Sequence, residues 1–141
     1  MRQKPFFIFL LNSSQRRLQR WIESHRKPDF QVSAAQAGVL FVLEKQDGAL
    51  AGDIAQTLDL VPSAVSGLID RMQRQQLLER KKCPEDGRAT RLWLTPLGRD
   101  QLTLFKAQLM ALNLRLTQGF TSDELAIVER WLHHIRQEFQ D

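Results

Sequence analysis

Between Val61 and Gly98 the spacing of apolar residues changes period, and no other feature of the chain constrains the fold as tightly. From Pro62 to Gln75, Val65, Leu68, Ile69 and Met72 recur at i, i+3, i+4 and i+7, the single stripe of an amphipathic helix. The opposite side carries Ser63, Gly67, Asp70 and Arg74, flanked by Ser66 and Arg71, so it is small and polar first and basic last. Leu77 to Lys82 and Thr90 to Thr95 then read as two short strands. In the second, Leu92 and Leu94 point one way and Arg91, Trp93 and Thr95 the other. The connecting Cys83-Pro84-Glu85-Asp86-Gly87-Arg88 holds the Pro, Asp and Gly of a reversing loop. The expectation is a mainly α chain with a small β-hairpin, a winged helix-turn-helix with Arg88 near the wing tip.

This arrangement suits double-stranded DNA. Small residues let a helix backbone approach a base edge or a phosphate, and first-turn N–H groups favour anions. Basic side chains on the hairpin stems neutralise phosphates, and an arginine at a hairpin tip fits a narrow, electronegative minor groove. Ser63, Ser66, Gly67 and Arg74 are therefore assigned to the major groove and its phosphates, and Arg88 to the flanking minor groove. Arg71, Lys81, Lys82 and Arg91 give electrostatic support. Asp70 is the exception, because an unpaired carboxylate on this face repels phosphates. Arg74 at i+4 or a neighbouring arginine is its expected partner, with a cytosine amine or a wing residue as alternatives. A winged helix reused as a protein–protein adaptor, without specific DNA binding, is the competing reading.

Charge is distributed accordingly. The chain of 141 residues has a net charge of +4. Pro62 to Arg99 holds eight basic residues against four acidic, whereas Asp100 to Asp141 holds four against six. A basic surplus on the proposed reading segment fits a polyanion partner. Phe6 to Leu11 briefly imitates a leader, but the apolar run is six residues, closes at Asn12-Ser13-Ser14 and has no small-x-small site. It is also too short to span a bilayer. One cysteine allows no intrachain disulfide and fits a reducing cytoplasm.

The remaining apolar residues predict helices. Pro5 to Arg26 forms a first one, with Phe7, Leu11, Leu18, Trp21 and Ile22 on one face, ended by Lys27-Pro28-Asp29. Ser33 or a neighbour starts a second, Ala34 to Gln46, stopped at Gly48. Ala49 to Leu58 reads as a third, the first helix of the helix-turn-helix, with Asp59-Leu60-Val61 as the turn. After Pro96 a long helix runs to about Gln118, and Gly119 interrupts it. Thr121-Ser122-Asp123-Glu124 is a hydroxyl cap followed by acidic residues, a strong helix start. In that last helix Leu125, Val128, Leu132, Ile135 and Phe139 step by 3, 4, 3, 4, with Trp131 at the edge of the seam. Together with Phe7 and Leu11 these residues carry more apolar surface than a small winged-helix core absorbs, which points to a homodimer interface. The organisation expected is one domain over residues 1–141, with a DNA-binding core at about 34–98 and dimer helices at 5–26 and 97–140.

An enzyme finds little support. There is no Gly-rich phosphate loop and no tyrosine. The adjacent His133 and His134 diverge by about 100° on a helix and do not face one metal together. Cys83 is expected to be exposed in the wing loop, with Lys81 and Lys82 near enough to lower its pKa. No catalytic residue, metal or cofactor is assigned.

The chain resembles the MarR (multiple-antibiotic-resistance regulator) family of bacterial transcription factors. The resemblance rests on Ser63-Ala64-Val65-Ser66, Leu68-Ile69-Asp70-Arg71-Met72 and Leu77-Leu78-Glu79-Arg80. It continues through Asp86 and Arg88 to Leu92-x-Leu94-Thr95-x-x-Gly98. Two positions depart from the pattern. Gln76 stands where the family often has a glycine in a left-handed turn, and Val61 stands where a capping Ser, Asn or Asp is expected. The resemblance implies a cytoplasmic homodimer whose terminal helices interleave and hold two reading heads one helical turn apart on a pseudo-palindrome, usually as a repressor. It also implies control by a small aromatic or phenolic anion bound where the dimer helices meet the head. Trp21, His25 and Phe41 are the candidates to line that crevice.

Overall fold

The computed structural model describes residues 4–27, 32–87 and 89–140. Arg88 and the Pro28-Asp29 break assigned from sequence lie outside the described residues. The elements run α1 (Phe7–Ser24), α2 (Ala34–Lys45), β1 (Ala49–Leu50), α3 (Ala51–Leu58), α4 (Pro62–Arg74), β2 (Leu78–Lys82), β3 (Thr90–Leu94), α5 (Pro96–Thr117) and α6 (Ser122–Glu138).

Local chemistry explains most of these boundaries. Ser33 and Gln36 form a reciprocal capping box at α2, with Gln36 N donating to Ser33 Oγ at 3.2 Å and Ser33 N to Gln36 Oε1 at 3.1 Å. Thr121 and Glu124 repeat the device at α6. Thr95, expected as the last strand residue, instead caps α5 through Gly98 N at 3.0 Å. Asp59 closes α3 in the left-handed region, with φ of 56°.

The third helix is shorter than its periodicity suggests. Ala49 and Leu50 are a strand, antiparallel to β3 through Ala49↔Leu92 and Leu50↔Arg91. The sheet therefore has three strands in the order β1-β3-β2, not the two of a hairpin. Two residues are too few to show a period, and their state is decided by a partner some forty positions away. On the other side β2 pairs with β3 from Leu78↔Leu94 to Lys82↔Thr90.

The core lies between α2, α3, α4 and this sheet. Val65, Leu68, Ile69 and Met72, the predicted stripe of α4, are all buried, together with Leu40 and Leu43 of α2, Ile54 of α3 and Leu78 and Leu92 of the sheet. Each such side chain contributes roughly 1.5–3 kcal/mol by leaving water. α5 joins the core through Leu102, with Phe105 packed edge-on against Phe41 at 5.8 Å. Neither α1 nor α6 has a fully buried residue. No helix among the described residues is long and apolar enough to cross a membrane.

Candidate nucleic-acid interface

With its stripe buried, α4 presents Ser63, Ser66, Gly67, Asp70, Arg71 and Arg74 to solvent. No side chain caps the helix, and Pro62 occupies its first turn. The predicted absence of a cap at Val61 is thus met by a proline with no N–H to satisfy. A β-carbon at Gly67 would find no heavy atom within 4 Å. The small size of this residue therefore serves nothing inside the chain.

Asp70 pairs with the wing and not with Arg74. Its Oδ1 accepts from Arg80 Nη2 at 2.5 Å, joining the outward face of α4 to β2. Sequence reasoning favoured Arg74 because i+4 neighbours are visible in a sequence, whereas the approach of β2 to α4 is a tertiary fact. The pairing neutralises the one carboxylate on this face and leaves Arg71 and Arg74 outside any ion pair among the described residues.

The wing divides its cations. Lys81 and Lys82 are exposed, Lys81 lying 5.7 Å from the centre of the Trp93 ring. Arg91 is turned inward and half-buried, its Nη1 donating to the Gly48 carbonyl at 2.9 Å. Gly48 needs to be glycine: its φ is +84°, and a β-carbon there would fall 2.7 Å from the Trp93 ring. Asp47 beside it accepts from Leu94 N at 2.9 Å and from Arg99 Nη2 at 2.8 Å. The Asp47-Gly48 corner thus holds β3 in place. Nothing in its residue types announces this role.

Cys83 is buried at 7% exposure, contrary to the expectation of an exposed thiol. Its pKa is lowered by hydrogen bonding from the Glu85 backbone N–H, and then from the Arg91 guanidinium. The lysines named from sequence are not the cause. Among the described residues no three His, Cys, Asp or Glu side chains are grouped to hold a metal ion.

At the end of α4 the departure at Gln76 is accommodated by strain. Gln76 has a φ of +61°, the left-handed geometry that glycine adopts freely. Its carbonyl accepts from Thr95 Oγ1 at 2.6 Å, and Gln75 accepts from the buried Gln36 at 2.9 Å.

The candidate ligand residues fall into two clusters. Trp21 and His25 stack at 4.2 Å, and the Arg115 guanidinium lies 4.7 Å from the centre of the Trp21 ring. Phe41 belongs with Phe105 and Lys106 in the α2–α5 seam. The proposed interface residues also divide. Leu11, Leu125, Trp131 and Ile135 are half-buried within the chain, and Trp131 meets Phe7 at 5.6 Å. Phe7, Val128, Leu132 and Phe139 are exposed. Exposed apolar residues that the seam pattern did not single out include Phe6, Ile8, Phe9, Leu10, Met110 and Leu114.

Comparison with known proteins agrees with this geometry. Residues 30–89 match the MarR family model. The HTH-type transcriptional regulator YsmB of Bacillus subtilis is 32% identical over 89 residues, 63% of this chain and 61% of its own length. The match therefore spans about three fifths of that relative. A solved MarR family transcription regulator is 27% identical with a TM-score of 0.75, covering 94% of this chain and 89% of its own. A mutant of E. coli MarR, solved complexed with operator DNA, is 24% identical with a TM-score of 0.77, covering 92% of this chain and 90% of its own. Residues 30–89 are thus similar in sequence to the MarR family, and the fold of nearly the whole chain is similar to that of a solved MarR family regulator.

Proposed function

We propose that the chain is a transcriptional regulator that binds double-stranded DNA as a homodimer and represses from a pseudo-palindromic operator in the cytoplasm. The observation that carries this reading is the outward face of α4: small at Ser63, Ser66 and Gly67, basic at Arg71 and Arg74, with its carboxylate neutralised by Arg80. The structural neighbour complexed with operator DNA has the same fold. In this reading α4 enters the major groove, the exposed Lys81 and Lys82 contact phosphates, and Arg88 reaches the minor groove. Arg91 supports binding indirectly, by holding the wing. The neutralised Asp70 also removes what favoured an adaptor.

Anisotropy titration against a duplex selected by the protein from a random library tests the reading. Affinity should fall steeply between 50 and 200 mM salt, as expected for about 6–10 phosphate contacts. Salt-independent affinity, or no selected sequence, would remove DNA as the partner.

The same reading includes release by a small aromatic carboxylate. Trp21 offers a flat ring and Arg115 a guanidinium at one place between α1 and α5, the two groups such an anion requires. A ligand shifts DNA binding only by preferring one arrangement of the heads. A panel of aromatic acids should therefore release labelled operator from the native protein and not from Arg115→Gln. Release by peroxide that Cys83→Ser abolishes would instead make the thiol the sensor.

A further inference from the structure

Helix α5 changes character along its length. Its first turn is pressed against the end of the reading head, where a β-carbon at Gly98 would lie 2.1 Å from the Leu77 carbonyl oxygen. Thr95 N donates to that same carbonyl at 3.3 Å, and Thr95 Oγ1 donates to Gln76 at 2.6 Å. Leu102 is buried and Phe105 half-buried, but beyond Lys106 most apolar side chains turn to solvent, with Met110 at 70% and Leu114 at 72% exposure, while Leu112 stays half-buried.

The boundary is marked by charge. Asp47 takes Arg99 at 2.8 Å, and both oxygens of Glu44 take Lys106 Nζ, at 2.5 and 2.6 Å. Arg99 and Lys106 are seven residues apart and share one face of α5. Glu44 and Asp47 stand three apart at the end of α2. Two ion pairs thus lace one seam, in which Phe41 also meets Phe105.

The contacts at Thr95 and Gly98 fix the start of α5, and Leu102 and Phe105 pack its inner half against the head by apolar contact, which is not directional. The Glu44–Lys106 pair lies eleven residues beyond Thr95, about 16 Å along the helix. A slip of about 1 Å there tilts the rod by roughly 4°. Partly exposed ion pairs add little to stability, so their effect falls on direction. In a dimer held together by the outer half of α5, that direction fixes the separation of the two heads.

We propose that Glu44 and Asp47 are positioning residues that lock α5 to the reading head and so decide which half-site spacing the protein accepts. This rests on the reading of the chain as a dimeric DNA-binding regulator. The test uses the full-length protein and the inverted repeat that the native protein selects from a random duplex library, remade with its half-sites one base pair closer or further apart. Glu44→Gln and Asp47→Asn should each lower the preference for the selected spacing about threefold. In Glu44→Gln, affinity for a single half-site and the thermal midpoint should stay where they are. The reversed pair, Glu44→Lys with Lys106→Glu, should restore the preference. Unchanged spacing preference in both single variants, or a reversed pair that behaves like the single variant, overturns the proposal. If the native protein selects no inverted repeat, the DNA-binding reading itself falls and this inference with it.

Discussion

Gly67 and Gln76 are two residues of α4 and its exit whose types oppose the local requirement. A mid-helix glycine costs about 1 kcal/mol relative to alanine, and nothing inside the chain explains its presence at position 67. If the space above it is kept for a base or phosphate, Gly67→Ala should raise stability in urea denaturation by about 0.5–1 kcal/mol while weakening operator binding. A stabilised variant of unchanged affinity would take Gly67 out of the interface. Gln76 presents the opposite case, a side chain where glycine is the relaxed choice. Its contact to Thr95 is made by the backbone carbonyl, so Gln76→Gly keeps the bond and relieves the left-handed geometry. We expect a gain of up to about 1 kcal/mol in the same measurement; a loss would mean that the Gln76 side chain contributes. The glycine-like turn was legible only through the family resemblance, which left open that the helix ends differently. The wing partner of Asp70 was legible only as an alternative to Arg74, because i+4 spacing favours neighbours on the same helix and does not single out Arg80.

Elements with their own period were legible, and those made by pairing were not. The stripe of α4, the hydroxyl caps of α2 and α6 and the strand alternation around Leu92 all carry local signals, and each lies within a residue or two of its expected place. Strand β1 has no such signal and was absorbed into the following helix. Its discovery changes the wing, because β3 is then a central strand anchored on the Asp47-Gly48 corner. Arg91 follows the same logic. Strand alternation turned it outward with Trp93, but its guanidinium reaches back to the Gly48 carbonyl. Arg91→Lys keeps the charge and loses the planar fork. It should cost about 1–2 kcal/mol of stability and reduce operator affinity. A phosphate contact alone would leave stability intact, so urea denaturation beside anisotropy separates the two roles.

At the scale of the molecule, α1 and α6 lack the burial that would hold them in place. Phe6 to Leu10 are each between 51% and 74% exposed although they cover every side of the first turns of α1. A helix apolar all round belongs in an interior. Its own chain supplies the Phe7 contact to Trp131, and in the homodimer proposed above a second copy covers the rest. The seam of α6, legible from its 3, 4, 3, 4 steps, splits in the fold. Ile135 and Leu125 are half-buried against their own chain, whereas Val128 at 48% and Leu132 at 43% face outward. That division makes the assembly testable separately from the fold. Val128→Asp and Leu132→Asp place a charge where only a partner would desolvate it, costing several kcal/mol in the dimer and almost nothing in a monomer. Both should give a helical monomer by light scattering and circular dichroism, with operator affinity lost. Ile135→Asp should lose helicity as well. The native thermal midpoint should rise with protein concentration, as mass action requires of a dimer. A Leu132→Asp variant that stays dimeric would place the interface on α1 and the outer half of α5 alone.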